Sequence, residues 1–194
     1  MSLDIDGIDP ALAAAVLELE THASEQGWDR PATLFALVDT AALAAKEPAL
    51  AAMMGLDDAS AAGSMTPVEQ EQLTRPLEEV LPTITWPAEV VGCAAVVERL
   101  VLPPDVDADI PDEPGAAEEF ARHHPDRQEV RMVVGVTRAG ASYCALRLRA
   151  HDEPESVVAG DDLVPQLVEL LRGTLEDDAD PGQDVARDHE EESP

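Results

Sequence analysis

Positive charge is what this sequence has least of. Its 12 lysines and arginines stand against 41 aspartates and glutamates, a formal net charge of −29, and Lys46 is the single lysine. Such a chain is not expected to hold nucleic acid, because binding phosphates requires a positive surface. Anionic membranes are excluded on the same ground. Aromatic residues make up only 3% of the chain, so Val, Leu and Ala must fill its interior. Cys93 and Cys144 are the two cysteines. Each falls in a predicted strand, and without a secretory signal they read as reduced, buried thiols. No stretch approaches the roughly 18 consecutive apolar residues of a membrane span. The opening MSLDIDGIDP is acidic and lacks the apolar run of a secretory leader. The expected location is the cytoplasm.

Catalytic signatures are missing as well. The sequence contains no G-x-S-x-G, Walker A, G-x-G-x-x-G or C-x-x-C. Ser142 and Cys144 have no evident base partner, so no catalytic residue and no cofactor is expected. Asp105-x-Asp107-x-Asp109 starts like an EF-hand loop, but Ile110 and Ala116 occupy the positions that need Gly and a bidentate Glu. His123-His124 is a lone pair with no cysteine close in sequence, whereas zinc needs three or four ligands. No metal site is expected.

What is present is a folded domain of 45% hydrophobic content. Asp9-Pro10 supplies an N-cap and N1 for a helix to Gln26, with Leu12, Val16 and Leu19 as its apolar stripe and Gly27 as its stop. Trp28 is expected to fold back on that helix. Thr33 to Thr40 reads as a strand, with a helix following that Pro48 interrupts. Thr66-Pro67-Val68-Glu69 resembles a capping box opening a short helix. Val90 to Leu102 is apolar on both parities, as in a central strand covered on both faces, and Gly92 within it signals a bulge or close packing. Residues 103–128 form an acidic, proline-rich loop with one helical turn at Ala116 to Arg122. A last helix spans Asp162 to Glu176, capped by Asp161 or Asp162, with Leu163, Leu167, Leu170 and Leu171 as its stripe. Residues 177–194 form a disordered acidic tail.

The centre of the chain is Glu129 to Ala150, whose period-two alternation around Arg138-Ala139-Gly140-Ala141 predicts a β-hairpin. A three-residue loop, Ala139 to Ala141, pairs Val136 with Cys144, Val134 with Leu146 and Met132 with Leu148, keeping one face apolar. This register puts Arg131 opposite Arg149, with Arg147 on the same face. Like charges opposed across strands are unfavourable, so this face wants anions. Glu98, Glu129 or the acidic loop could supply them; a carboxylate-rich partner, a phosphate or the acidic tail is the functional alternative. Arg131, Arg147 and Arg149 are accordingly the candidate binding residues.

The stretches TLFALVDTAALAAKEPAL, ITWPAEVVGCAAVVERLVLPP, HPDRQEVRMVVGVTRAGASYCALRLR and DDLVPQLVELLRGTL together resemble an uncharacterised family of actinobacterial proteins, over about Ala11 to Leu175. The resemblance implies a cytoplasmic protein of about this length and brings no activity or catalytic residue with it. The expected fold is α+β, a single domain over residues 1–176. In it an antiparallel sheet of about four strands packs with N-terminal and C-terminal helices. The expected function is a non-catalytic protein-interaction or adaptor domain using the sheet and its arginine face, with a protein partner and no nucleic acid or membrane. The alternative is a small-molecule or anion-binding domain with a pocket between sheet and helices. An exposed edge at Thr33 to Thr40 would allow strand-to-strand dimerisation; oligomeric state is otherwise not fixed by the sequence.

Overall fold

The computed structural model describes residues 8–53, 55, 61–71, 73–103, 106 and 109–176. The expected tail, 177–194, lies outside them. Helix α1, Pro10–Gln26, begins where expected: the Asp9 side chain accepts the N–H groups of Ala11 and Leu12 at 2.9 and 3.2 Å, and Pro10 takes N1. It ends at Gly27, whose φ of 81° suits glycine. Strand β1, Thr33–Asp39, leads directly into α2, Thr40–Lys46, because the Asp39 carboxylate caps it by accepting from Ala42 N at 2.7 Å. Pro48 then forces a new start, α3, Pro48–Met53.

The sheet has six antiparallel strands rather than about four, in the order β2-β1-β3-β4-β5-β6. The first unexpected strand, β2, Met65–Glu69, occupies the segment read as a capping box. It pairs with β1, Leu37 opposite Pro67, and so covers the edge that Thr33 to Thr40 was expected to expose. Pro67 fits because β2 is the new edge. Gln70 N reaches Leu34 O and Thr40 N reaches Ser64 O, so the even-numbered residues of β2 bond inward. The nitrogen of Pro67 therefore faces the open rim, where no ladder bond is lost.

Two turns, α4 at Leu77–Val80 and a 3₁₀ turn at Leu81–Thr83, bury Leu77 and Leu81. Strand β3, Val90–Val101, is central. The register against β1 shifts between Leu37 and Val38, opposite the Gly92 region. A Cβ at Gly92 would stand 2.4 Å from the Val136 carbonyl oxygen, which explains the glycine. The acidic 103–128 segment carries more than one helical turn: α5 runs Pro114–His123, with no buried residue.

The hairpin is β4, Gln128–Thr137, with β5, Ser142–Leu148. Its register differs by two residues from the expected one. Val136 pairs with Ser142, Val134 with Cys144, Met132 with Leu146, and Arg131 with Arg147 rather than Arg149. The cause is Gly140, at φ 94°. A three-residue hairpin loop wants its left-handed residue last, so the loop is Arg138-Ala139-Gly140, closed by Thr137 N to Ala141 O at 3.0 Å. A two-residue shift preserves parity, so each side chain keeps the face assigned to it. Strand β6, Val158–Gly160, adds the second unexpected strand. Helix α6, Pro165–Leu175, starts later than expected; Val164, not Asp161 or Asp162, stands at its N-cap, with no side-chain cap. Its buried residues are Leu167, Val168, Leu171, Thr174 and Leu175, while Leu163 and Leu170 are exposed.

Three layers result. On one face α1 packs Leu12, Ala15, Val16 and Leu19 against Phe35, Leu37, Ala94, Val133 and Ala145. On the other, α6 with Leu77, Leu81 and Trp86 covers Leu34, Cys93, Ala95, Val97, Val134, Val136 and Cys144. Both cysteines are free and buried. Burial raises both thiols, that of Cys93 to about 11, which lowers their thiolate fraction at neutral pH.

Candidate functional site

The three arginines named from sequence do share one face, and α1 lies over it. Arg131 and Arg147 are 1% and 3% exposed. Buried guanidinium groups require partners, and each finds carboxylates. Arg147 makes a two-pronged pair with Glu20 of α1, Nε to Oε1 at 2.5 Å and Nη2 to Oε2 at 2.8 Å. Its Nη1 donates to the Asp152 backbone oxygen at 2.9 Å. The Glu20 hydrogen bonds hold Arg147 above its ordinary pKa. Arg131 donates through Nη2 to the Gly27 carbonyl at 2.5 Å and to Glu98 Oε1 at 3.3 Å. Arg149 forks onto Asp29 at 2.9 and 2.8 Å and reaches Glu129 at 2.5 Å. The Arg149 hydrogen bonds hold the Asp29 carboxyl below its usual range, and donating to Asp29 and Glu129 raises Arg149.

The turn after α1 locks this cluster together. Trp28 contacts two guanidiniums, its ring centroid 4.3 Å from Arg131 Cζ and 5.6 Å from Arg149 Cζ. Its indole N–H donates to Asp152 Oδ2 at 3.0 Å. Trp28 thus anchors onto the sheet's arginines and not simply back onto the helix. Asp29 adopts a φ of 64°, uncommon for a residue with a side chain. Its backbone N–H, donating to Glu98 Oε2 at 2.8 Å, and its fork to Arg149 hold it there. Glu98 and Glu129 were among the anions expected from sequence. Glu20, Asp29 and Asp152 were not. Glu20 carried a readable signal: it follows Val16 by four residues, so the charge sits on the apolar stripe of α1.

Beside Arg131 a cavity of about 30 Å³ is lined by His22, Gln26, Glu98 and Arg131 among others. A single water fits such a volume; ligand pockets start near ~300 Å³. Arg131, which lines it, has its buried Nη1 without a hydrogen-bond partner among the described residues. Among the described residues no group of three or more His, Cys, Asp or Glu could hold a metal ion. Asp105 and Asp107 lie outside them. His123 and His124 are engaged locally, His123 Nδ1 with Glu119 O at 2.8 Å and His124 Nδ1 with Asp126 N at 3.2 Å.

The large concavity lies on the opposite sheet face, where sequence reading placed nothing. It is an open groove of about 910 Å³. Its floor is Ala36 and Val38 of β1 with Val68 of β2; its walls are Ala42 and Leu43 of α2 and the Trp86 to Val91 segment. Helix α6 with Leu77, Leu81 and Trp86 covers β3, β4, β5 and Leu34 of β1 on this face, whereas Val38 of β1 is only partly buried and Val68 of β2 is exposed. Polar groups border the apolar floor, and Lys46 Nζ meets Glu89 Oε1 at 3.4 Å.

Arg138, in the hairpin loop, fixes one wall. Its Nε donates to Val90 O at 2.9 Å, its Nη2 to Trp86 O at 3.0 Å, and its Nη1 to Leu175 O at the end of α6. Trp86 Nε1 also donates to Thr174 Oγ1 at 2.9 Å. One guanidinium therefore joins the groove wall to the last turn of the C-terminal helix, where a cation also suits the helix dipole. No motif signalled this role, because carbonyl recognition leaves no pattern in side-chain types.

Comparison with known proteins gives a family and nothing more specific. No curated protein and no solved structure matches the chain. A family model described as PPA1309-like protein matches residues 12–176, and the chain belongs to that family.

Proposed function

For this member of the PPA1309-like protein family we propose a non-catalytic protein-interaction domain that docks a partner protein's apolar surface in the groove over β1 and β2. One observation carries the reading: the groove is a broad, mostly apolar concavity in a chain of net charge −29. Large exposed apolar patches rimmed by polar residues mark interaction sites. The arginine face gives the reading less support, since Glu20, Glu98, Asp29, Glu129 and Asp152 already occupy its guanidiniums. An anion- or metabolite-binding role there has only the cavity of about 30 Å³ to offer.

Site-specific photocrosslinking tests the proposal. A benzophenone amino acid replaces Ala42 in the groove or Leu100, which is 39% exposed on β3. The expected result is one discrete protein adduct from position 42 in the source organism's cells and none from position 100. The captured protein, purified, should then bind the wild-type chain. No adduct at position 42, or the same adducts from both positions, overturns the proposal.

A further inference from the structure

We infer that the other rim of the sheet, β6, takes an extended cationic segment of a partner protein as a seventh strand. This surface is separate from the groove, which lies at the β2 end. The hydrogen-bond ladder locates it. In the hairpin, Thr137 N–H donates to Ala141 O at 3.0 Å and Arg149 N–H to Glu129 O at 2.8 Å, so the odd-numbered residues of β5 bond to β4. The even-numbered ones turn toward β6, as the bond from His151 N–H to Leu148 O at 3.0 Å illustrates. Cys144 with Gly160 and Leu146 with Val158 are therefore the bonded pairs. Ala159, between them, directs its N–H and C=O away from the sheet.

Strand β6 ends the strand order, so among the described residues no strand pairs with that rim. The two rims differ at their centres. Pro67 offers no N–H at the β2 rim, whereas Ala159 is exposed and offers both a donor and an acceptor. Beside it Val158 is 59% exposed, on the face where its partner Leu146 is only half-buried. An added strand thus gains ladder bonds and buries apolar surface together.

The open ladder marks the site, and charge selects the occupant. Glu155 leads into the strand, and Asp161 and Asp162 leave it. All three are exposed, and none pairs with a basic side chain among the described residues. A second copy of the chain would set these same carboxylates against each other. A segment with Lys or Arg on either side of an apolar residue matches them, and a net charge of −29 steers it inward. A rim of three residues supplies few ladder bonds, so the charge pairs carry much of the affinity and salt weakens it.

The test uses the full chain and a fluorescent peptide of alternating lysine and valine. One control peptide has glutamate for lysine; another has every backbone nitrogen methylated, which removes its donors and keeps its charge. Three protein variants accompany them. Ala159→Pro removes an N–H that points outward, Glu155→Gln/Asp161→Asn/Asp162→Asn neutralises the flanks, and Val68→Gln alters the groove. The lysine peptide should bind wild type roughly tenfold or more tighter than it binds Ala159→Pro, and its methylated form should lose as much on wild type. The neutralised variant should lose affinity and salt dependence, and Val68→Gln should bind as wild type does. The Ala159 amide should exchange with D2O more slowly in the complex. Equal binding by the methylated peptide overturns the inference, since charge alone then holds the ligand, and it does so whether or not Ala159→Pro folds. Equal binding by the glutamate peptide overturns the cationic requirement. Loss in Val68→Gln alone moves the peptide to the groove and also overturns the inference, as does no binding to wild type.

Discussion

The two faces of the sheet each bury an apolar cluster, the larger under α6, yet are closed in opposite ways. On the α1 face, charge forms the closure: Glu20, Arg147, Arg131, Glu98, Arg149, Asp29 and Trp28 interlock beneath and beside one helix. On the α6 face, apolar packing does the work over β3 to β5 and at Leu34 and Ala36, and among the described residues Val68 stays exposed at the groove. The face richest in charge is thus the sealed one, and the face poorest in charge is the accessible one. Exposed charge is ordinary in a chain this acidic, so it carries little information about binding. Exposed apolar surface is not ordinary here.

That contrast can be broken most severely at Glu20. Glu20→Ala leaves the Arg147 guanidinium buried without its carboxylate, and should cost about 3–5 kcal/mol of unfolding free energy in urea titrations. The combined Glu20→Leu/Arg147→Met change should recover most of that loss, since a well-packed apolar pair can replace a buried ion pair. A single-variant loss below about 1 kcal/mol, the range of exposed pairs, would mean that charge does not close this face. Next in size is Gly135→Ala. Its new Cβ would lie 2.7 Å from Val16 Cγ2 and 3.0 Å from Leu12 Cδ1, lifting α1 from the sheet. Overpacking of this kind costs about 1–3 kcal/mol, and a thermal midpoint equal to wild type would contradict it.

A smaller, pH-dependent effect belongs to Asp29. Its carboxyl is held below the usual range by the Arg149 hydrogen bonds, so folding favours the ionised form. The stabilisation is fully present above the ordinary aspartate pKa of about 3.9. It is lost as pH falls through the lower folded value. Asp29→Asn should remove that part of the acid sensitivity, read as a flatter stability profile below pH ~4 than wild type shows. Smallest of all is Val68→Gln on the open face, at less than about 0.5 kcal/mol, while the proposed docking should be lost. A large stability loss there would show that Val68 belongs to the core.

How far the sequence revealed these faces depends on how local each signal is. Asp9-Pro10, Gly27 and Pro48 set the helix boundaries through their own backbone chemistry, and those boundaries appear as read. Alternation placed Arg131 and Arg147 on one face and Val134 and Cys144 on the other. The pairing differs by two residues because Gly140's requirement for the third loop position outranks apolar matching. Strand β2 was missed because Thr66-Pro67-Val68-Glu69 satisfies a helix-cap pattern locally, and only pairing with β1 overrides it. The cover over the arginines and the groove both depend on which strands the helices reach. That is a matter of long-range packing, and no short window of sequence contains it.

Pro67 at the rim of β2 has a consequence for how selective this protein is. Partners that join a sheet edge are recognised through backbone groups, which all sequences share, so an open edge accepts many chains. A rim without a central N–H withholds that common currency. In the proposed docking, discrimination then falls to side-chain shape and charge, and closely related partners should be distinguished by single substitutions on the contacting surface. The same rim leaves concentrated solutions without a template for endless strand stacking.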